Sequence, residues 1–240
     1  MSGPCCFSGS LSEGTPAGKV ESYNGVQTYV APYTGTPDVA IVLVCDVFGY
    51  EGINSRLMAD RYASKNPRVM CVVPNIFPNG AVPDHCVHHM HNLTNPKPTT
   101  TFFDKMGAVG GLLYHIPGFF MRNSRDGTLV EAQKCIAHLR AEKGVKKVAT
   151  VGYCWGGTAC ISLGQKDDVV DAFCAVHPSM PKMPDDLAKL KKPACFILPR
   201  LDFMIKDKEI AQITDYMKTT SLKHLVKPVR VGVLALMIEA

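Results

Sequence analysis

The strongest chemical pattern in this sequence is Gly152-Tyr153-Cys154-Trp155-Gly156-Gly157. Lys147 to Gly152 reads as a short strand, and Trp155 to Leu163 reads as a helix that starts at once. A Gly-x-Cys-x-Gly-Gly run between strand and helix is a nucleophile-elbow pattern with cysteine in the serine position. The small residues two before and two after the cysteine keep strand and helix from colliding at a strained turn. The helix N-terminus sets its dipole and first-turn N–H groups beside the sulfur, which favours thiolate. The Trp155 N–H can also supply half of an oxyanion hole. The competing reading is a structural cysteine buried in a glycine-rich turn. The strand before, the helix after and the doubled glycine favour the nucleophile.

The elements that would position Cys154 follow from periodicity. Lys19–Tyr23 and Val26–Val30 flank Asn24-Gly25, the pair favoured in a type I′ hairpin. Val39 to Val47 and Arg68 to Val73 are apolar runs of the kind buried on both sheet faces. Asn54 is placed to cap a helix to about Lys65, and Thr128 with Glu131 forms a capping box ahead of Leu129, Ala132, Cys135, Ile136 and Leu139. Asp171–Val176 and Ala194–Leu198 are further strands, and Asp207 is placed to cap a helix carrying Ile210, Ile213 and Met217. Residues 76–126, rich in Pro, Asn and Thr, read as loops and short helices. Strands alternating with helices from residue 39 onward imply an α/β fold with a mainly parallel sheet and helices on both faces. One domain over 1–240 is expected, with an irregular arm at 1–18.

Composition removes several classes of function. Apolar residues are 46% and charged residues 20% of the chain, and the net charge of +5 is scattered. No basic stripe with interleaved aromatics marks a nucleic-acid site. No apolar stretch is long enough for a membrane span. Ten cysteines are present, but Cys45, Cys71, Cys174 and Cys195 sit in apolar runs, where free cysteine is a small hydrophobe. With no signal-peptide pattern, a reducing, cytoplasmic setting is expected. His85, His88, His89 and His91 are crowded and read as a solvated loop rather than a metal site. His177 ends a strand one strand from the elbow and reads as a residue beside the site or against the substrate.

The elbow, with Asp46-Val47-Phe48-Gly49, Val73-Pro74-Asn75-Ile76-Phe77 and Ala175-Val176-His177-Pro178-Ser179, resembles the dienelactone hydrolase family; Cys5-Cys6 with Gly14-Thr15-Pro16 is similar to its eukaryotic branch. The likeness runs from residue 5 to about 218. It implies an α/β-hydrolase fold and hydrolysis of small esters or lactones by a Cys-His-Asp triad, with no cofactor or metal. Asp202 matches the family's acid, whereas Asp171 enters a strand and belongs at the opposite sheet edge. Val47 resembles the residue that gives the second oxyanion N–H. Asp46 stands where the family usually has a glutamate touching the thiol; its alternative role is a first-turn cap. The family's histidine, about thirty residues after the acid, has no counterpart: His224 precedes the last strand, and residues 224–240 read as an altered or shortened terminus. That departure supports the alternatives of a catalytically impaired relative acting as a binding module, or a thiol redox sensor using Cys154.

Overall fold

The computed structural model describes residues 14–83, 85–86, 101–200 and 205–229. Its centre is an eight-stranded sheet in the order β1-β2-β4-β3-β5-β6-β7-β8. The strands are β1 (Lys19–Tyr23), β2 (Val26–Val30), β3 (Val39–Val44), β4 (Val69–Pro74), β5 (Lys147–Tyr153), β6 (Ala172–Val176), β7 (Ala194–Pro199) and β8 (His224–Val229). Only β1–β2 and β2–β4 pair antiparallel. The hairpin turns at Asn24 and Gly25, which have φ of 49° and 83°, as a type I′ turn requires.

The helices are α1 (Ile53–Lys65), α2 (Phe102–Arg122), α3 (Arg125–Glu142), α4 (Trp155–Gly164), α5 (Asp185–Ala188) and α6 (Asp207–Thr219). Strand alternation sorts them onto two faces. Tyr62 of α1 bonds Tyr153 on one face (Oη to Oη, 2.5 Å), while Gly152 and Phe173 turn toward Cys160 and Gly164 of α4 on the other. Residues Gly156–Gly164 of α4 are all buried. The α3 stripe Leu129, Ala132, Cys135, Ile136 and Leu139 is buried as its spacing requires.

Several local expectations change. Helix α3 begins a turn earlier than Thr128: Ser124 is extended and its Oγ accepts from Gly127 N–H (3.0 Å). Glu131 instead pairs with Lys134 (2.8 Å). Gly52, not Asn54, precedes α1, and Lys206, not Asp207, precedes α6. Strand β3 stops at Val44, so Asp46 and Val47 lie on the loop beyond it. The stretch read as loops holds α2, opened by a Thr101–Asp104 capping box and continuing through Pro117. Its glycines and Pro117 mask the helical reading; Phe119, fully buried, anchors it.

At the sheet edge remote from the elbow, Asp171 accepts from Arg140 Nη2 (2.9 Å), Lys147 Nζ (2.9 Å) and Val148 N–H (2.9 Å). Burial acts to raise its pKa, but these donors outweigh it and hold the carboxyl down at about 2. At the elbow, the helix α4 lies against the strand ends. A methyl group on Gly156 would overlap the carbonyls of Val44 and Cys45, and one on Gly152 would overlap Gly156 and the Cys160 sulfur.

Two outcomes follow. Gly156→Ala should lower stability by about 2–3 kcal/mol through overpacking, whereas Gly107→Ala, on an α2 face with nothing within 4 Å, should raise it by up to about 1 kcal/mol. Urea midpoints check both, and equal tolerance at the two sites would contradict the packing. Asp171 has a lowered folded pKa, so its contribution is present above the ordinary carboxylate pKa and is lost as pH falls from about 4 toward 2. Asp171→Asn should therefore cost about 1 kcal/mol near neutral pH, allowing for partial exposure, and flatten the stability profile in that acid window.

Candidate active site

Cys154 stands between β5 and α4 with φ 54° and ψ −113°, a left-handed conformation that a side chain adopts only under constraint. The constraint is visible in the backbone. Cys154 N–H donates to Val176 O (3.1 Å), and its carbonyl accepts from Ser179 N–H (3.0 Å) and Thr158 N–H (3.3 Å). Thr158 Oγ1 in turn donates to Ser179 O (2.5 Å). The exit of β6 thus clamps the elbow from one side, and the carbonyls of Val44 and Cys45 press on Gly156 from the other.

Exposure separates Cys154 from most of its kind. Cys45, Cys71, Cys86, Cys135 and Cys160 are buried. Burial pushes the thiols of Cys71, Cys135 and Cys160 up to about 12, which leaves them protonated and inert. Cys154 is half-buried at the first turn of a ten-residue helix. Cys174 and Cys195, also half-buried, face each other across β6 and β7, and a hydrogen bond from Cys174 lowers the Cys195 pKa.

The Trp155 ring is held by residues of α2 and α3. Its Nε1 donates to Thr128 Oγ1 (3.0 Å), and Phe119 and Phe120 pack on it at 5.4 and 5.6 Å between centroids. Thr128 Oγ1 also donates to the carbonyl of Ser124, the residue that caps α3. The Trp155 backbone N–H is among those that a helix start leaves without an intrahelical acceptor. Val47 lies on the β3 exit loop, which Gly156 brings against α4; its carbonyl accepts from Val82 N–H (2.8 Å). Asp46 closes that loop as a turn, with Oδ1 accepting from Phe48 N–H (2.9 Å) and its carbonyl from Gly49 N–H (3.1 Å). Asp46 thus caps a turn of this loop and not the first turn of a helix.

His177 follows β6 with φ 37° and is only 7% exposed. Its N–H donates to Ile197 O (2.9 Å), its ring centroid lies 6.4 Å from that of Tyr153, and its Nε2 has no partner among the described residues. Burial pushes the imidazole pKa down to about 3, offset only in part by a backbone hydrogen bond. The ring is neutral near pH 7. His224, at the start of β8, pairs in register with Ala194 at the opposite sheet edge. Asp202 lies outside the described residues, as do His88, His89 and His91. Sequence reading missed His115: α2 brings its Nε2 to 3.3 Å from that of His85. An apolar cavity of about 270 Å³ lies on the α1 face between Tyr62 and strands β3, β5, β6 and β7; Cys154 does not line it.

Known proteins resemble this chain in sequence and fold. A model of the dienelactone hydrolase family matches residues 26–228. The hydrolase pyvD of Aspergillus violaceofuscus is 27% identical over 191 residues, covering 79% of this chain and 66% of that protein. The hydrolase tropI of Talaromyces stipitatus is 27% identical, and the chain spans 54% of its length. The human carboxymethylenebutenolidase homolog is 24% identical over 216 residues, covering 90% of this chain and 77% of that protein. Among solved structures, the dienelactone hydrolase-like promiscuous phosphotriesterase P91 from metagenomic libraries superposes with TM-score 0.63 at 17% identity, covering 89% of this chain and 81% of its own. The dienelactone hydrolase of Anabaena variabilis superposes with TM-score 0.58 at 12% identity, covering 90% and 87%. With its parallel sheet, its elbow and this match over most of its length, the chain has the α/β-hydrolase fold and belongs to the dienelactone hydrolase family.

Proposed function

We propose that this chain hydrolyses small esters or lactones with Cys154 as nucleophile. The observation that carries the reading is a non-glycine, partly exposed cysteine held at φ 54° where β5 turns into α4. The thiolate would attack the acyl carbon, and the N–H groups of Val47 and Trp155 would hold the developing oxyanion. The S–C bond forms as the C–O bond to the leaving group breaks, and the alcohol departs with a proton from solvent. Water then cleaves the thioester, returning the thiolate and releasing the acid. Asp202 is the proposed partner that orients a base.

In the second step neither His177 nor His224 is placed to help. His177 is neutral, buried and poorly basic, and His224 lies at the far edge. A thiol at a helix N-terminus has thiolate available without help, but water needs a base. Loss of that assistance costs about 10²–10⁴-fold. A chain arrested at this step would act as a covalent binder, and oxidant-sensitive Cys154 without ester turnover would favour the thiol-sensor alternative.

An activated ester such as p-nitrophenyl acetate should give a burst of about one equivalent, then a rate slower by that factor, with one acyl group per chain by intact mass. Cys154→Ala should lose both burst and adduct; an equal burst in that variant would refute the nucleophile. His177 gives a pH test. Its folded pKa is lowered, so below the ordinary histidine value the unfolded chain binds a proton that the folded chain refuses. Stability should fall as pH drops from about 6.5 toward 3, and His177→Gln should flatten that slope. An unchanged slope would mean that His177 titrates normally.

A further inference from the structure

We propose that His85, Cys86 and His115 form a binding site for a borderline-soft divalent cation of the Zn²⁺ class, separate from the elbow. The three donor atoms lie within 4.8 Å of one another. The two Nε2 atoms are 3.3 Å apart, with ring centroids at 5.0 Å and planes at 72°. Two imidazoles on one tetrahedral Zn²⁺, at Zn–N of about 2.0–2.1 Å, hold their nitrogens about 3.3–3.4 Å apart. Both rings thus present the correct edge to a common point, and the Cys86 sulfur stands beside it.

Two of the three ligands are tied to the scaffold by contacts of their own segments. Cys86 is fully buried, and its N–H donates to Pro83 O (2.9 Å). His115 lies one helical turn before Phe119, whose buried ring packs on Phe77 at 4.9 Å and on Trp155 at 5.4 Å. His85 is exposed, which gives a cation its way in and leaves room for water as a fourth ligand. Nitrogen, nitrogen and sulfur are donors for Zn²⁺ or Co²⁺; Mg²⁺ and Ca²⁺ demand oxygen. Binding would break the Cys86 S–H bond, form a sulfur–metal bond and release the proton to solvent. It would also close the 30-residue separation between His85 and His115. The competing explanation for the 3.3 Å contact is a hydrogen bond between two neutral imidazoles, with no role for Cys86.

Zn²⁺ and Co²⁺ titrated into full-length, reduced, chelator-treated protein distinguish the two. One equivalent should bind, Mg²⁺ should not compete, and Co²⁺ should give a near-ultraviolet thiolate charge-transfer band. Cys86→Ser should abolish that band, and His85→Gln and His115→Gln should each weaken Zn²⁺ binding by at least about tenfold. Because Cys86 is buried and its replacement can disturb folding, the exposed variant His85→Gln, with native circular dichroism, is decisive. Unchanged affinity in His85→Gln, or no binding to the wild type, overturns the site.

Discussion

The contact on which the site depends is the backbone approach of helix α4 to the ends of β3 and β5. Gly156 touches the carbonyls of Val44 and Cys45, and Gly152 touches Gly156 and Cys160. Any side chain at either position would lift α4 off the sheet. With the helix that close, the chain must reverse within one residue, and Cys154 takes the positive φ that the reversal demands. Burial of the whole of α4 beyond Trp155 supplies the packing energy that holds the strain in place. The elbow is thus a product of the core rather than a loop laid over it.

The same approach sets the chemistry. It brings the end of β3, through the carbonyls of Val44 and Cys45, against the first turn of α4. The β6 exit completes the enclosure through Val176 and Ser179. Support for Trp155 comes from farther off: Phe119 of α2 and Thr128 of α3 fix its ring, and Thr128 Oγ1 also donates to the carbonyl of Ser124, the residue that caps α3. The cap of α3 is thus joined to the Trp155 ring through two hydrogen bonds.

Much of this was legible in the sequence because it is local. The elbow glycines, the Asn24-Gly25 hairpin and the α3 stripe each carry their cause within a few residues. The family resemblance located the same segments. Helix α2 was not legible, because Gly107, Gly110, Gly118 and Pro117 argue against a helix, although Phe102, Met106, Val109, Leu113, Ile116 and Phe120 recur at helical spacing and Phe119 and the Thr101 cap secure it. The end of β3 was overestimated because the apolar run continues past the last ladder pair at Val44. His115 was invisible as a neighbour of His85 because tertiary packing of α2, not spacing, brings them together. The burial of His177 likewise depends on the Ile197 and Tyr153 neighbours rather than on its own segment.

In the proposed reaction, strain at Cys154 is kept for the sake of its sulfur. Cys154→Gly removes the sulfur and relieves the positive φ in one change. Its melting temperature and its rate of acylation by an activated ester, measured beside the wild type, test the claim most directly. The variant should be more stable by about 1 kcal/mol and should form no acyl adduct. A variant that acylates at the wild-type rate, or one that is less stable without the side chain, would contradict the claim.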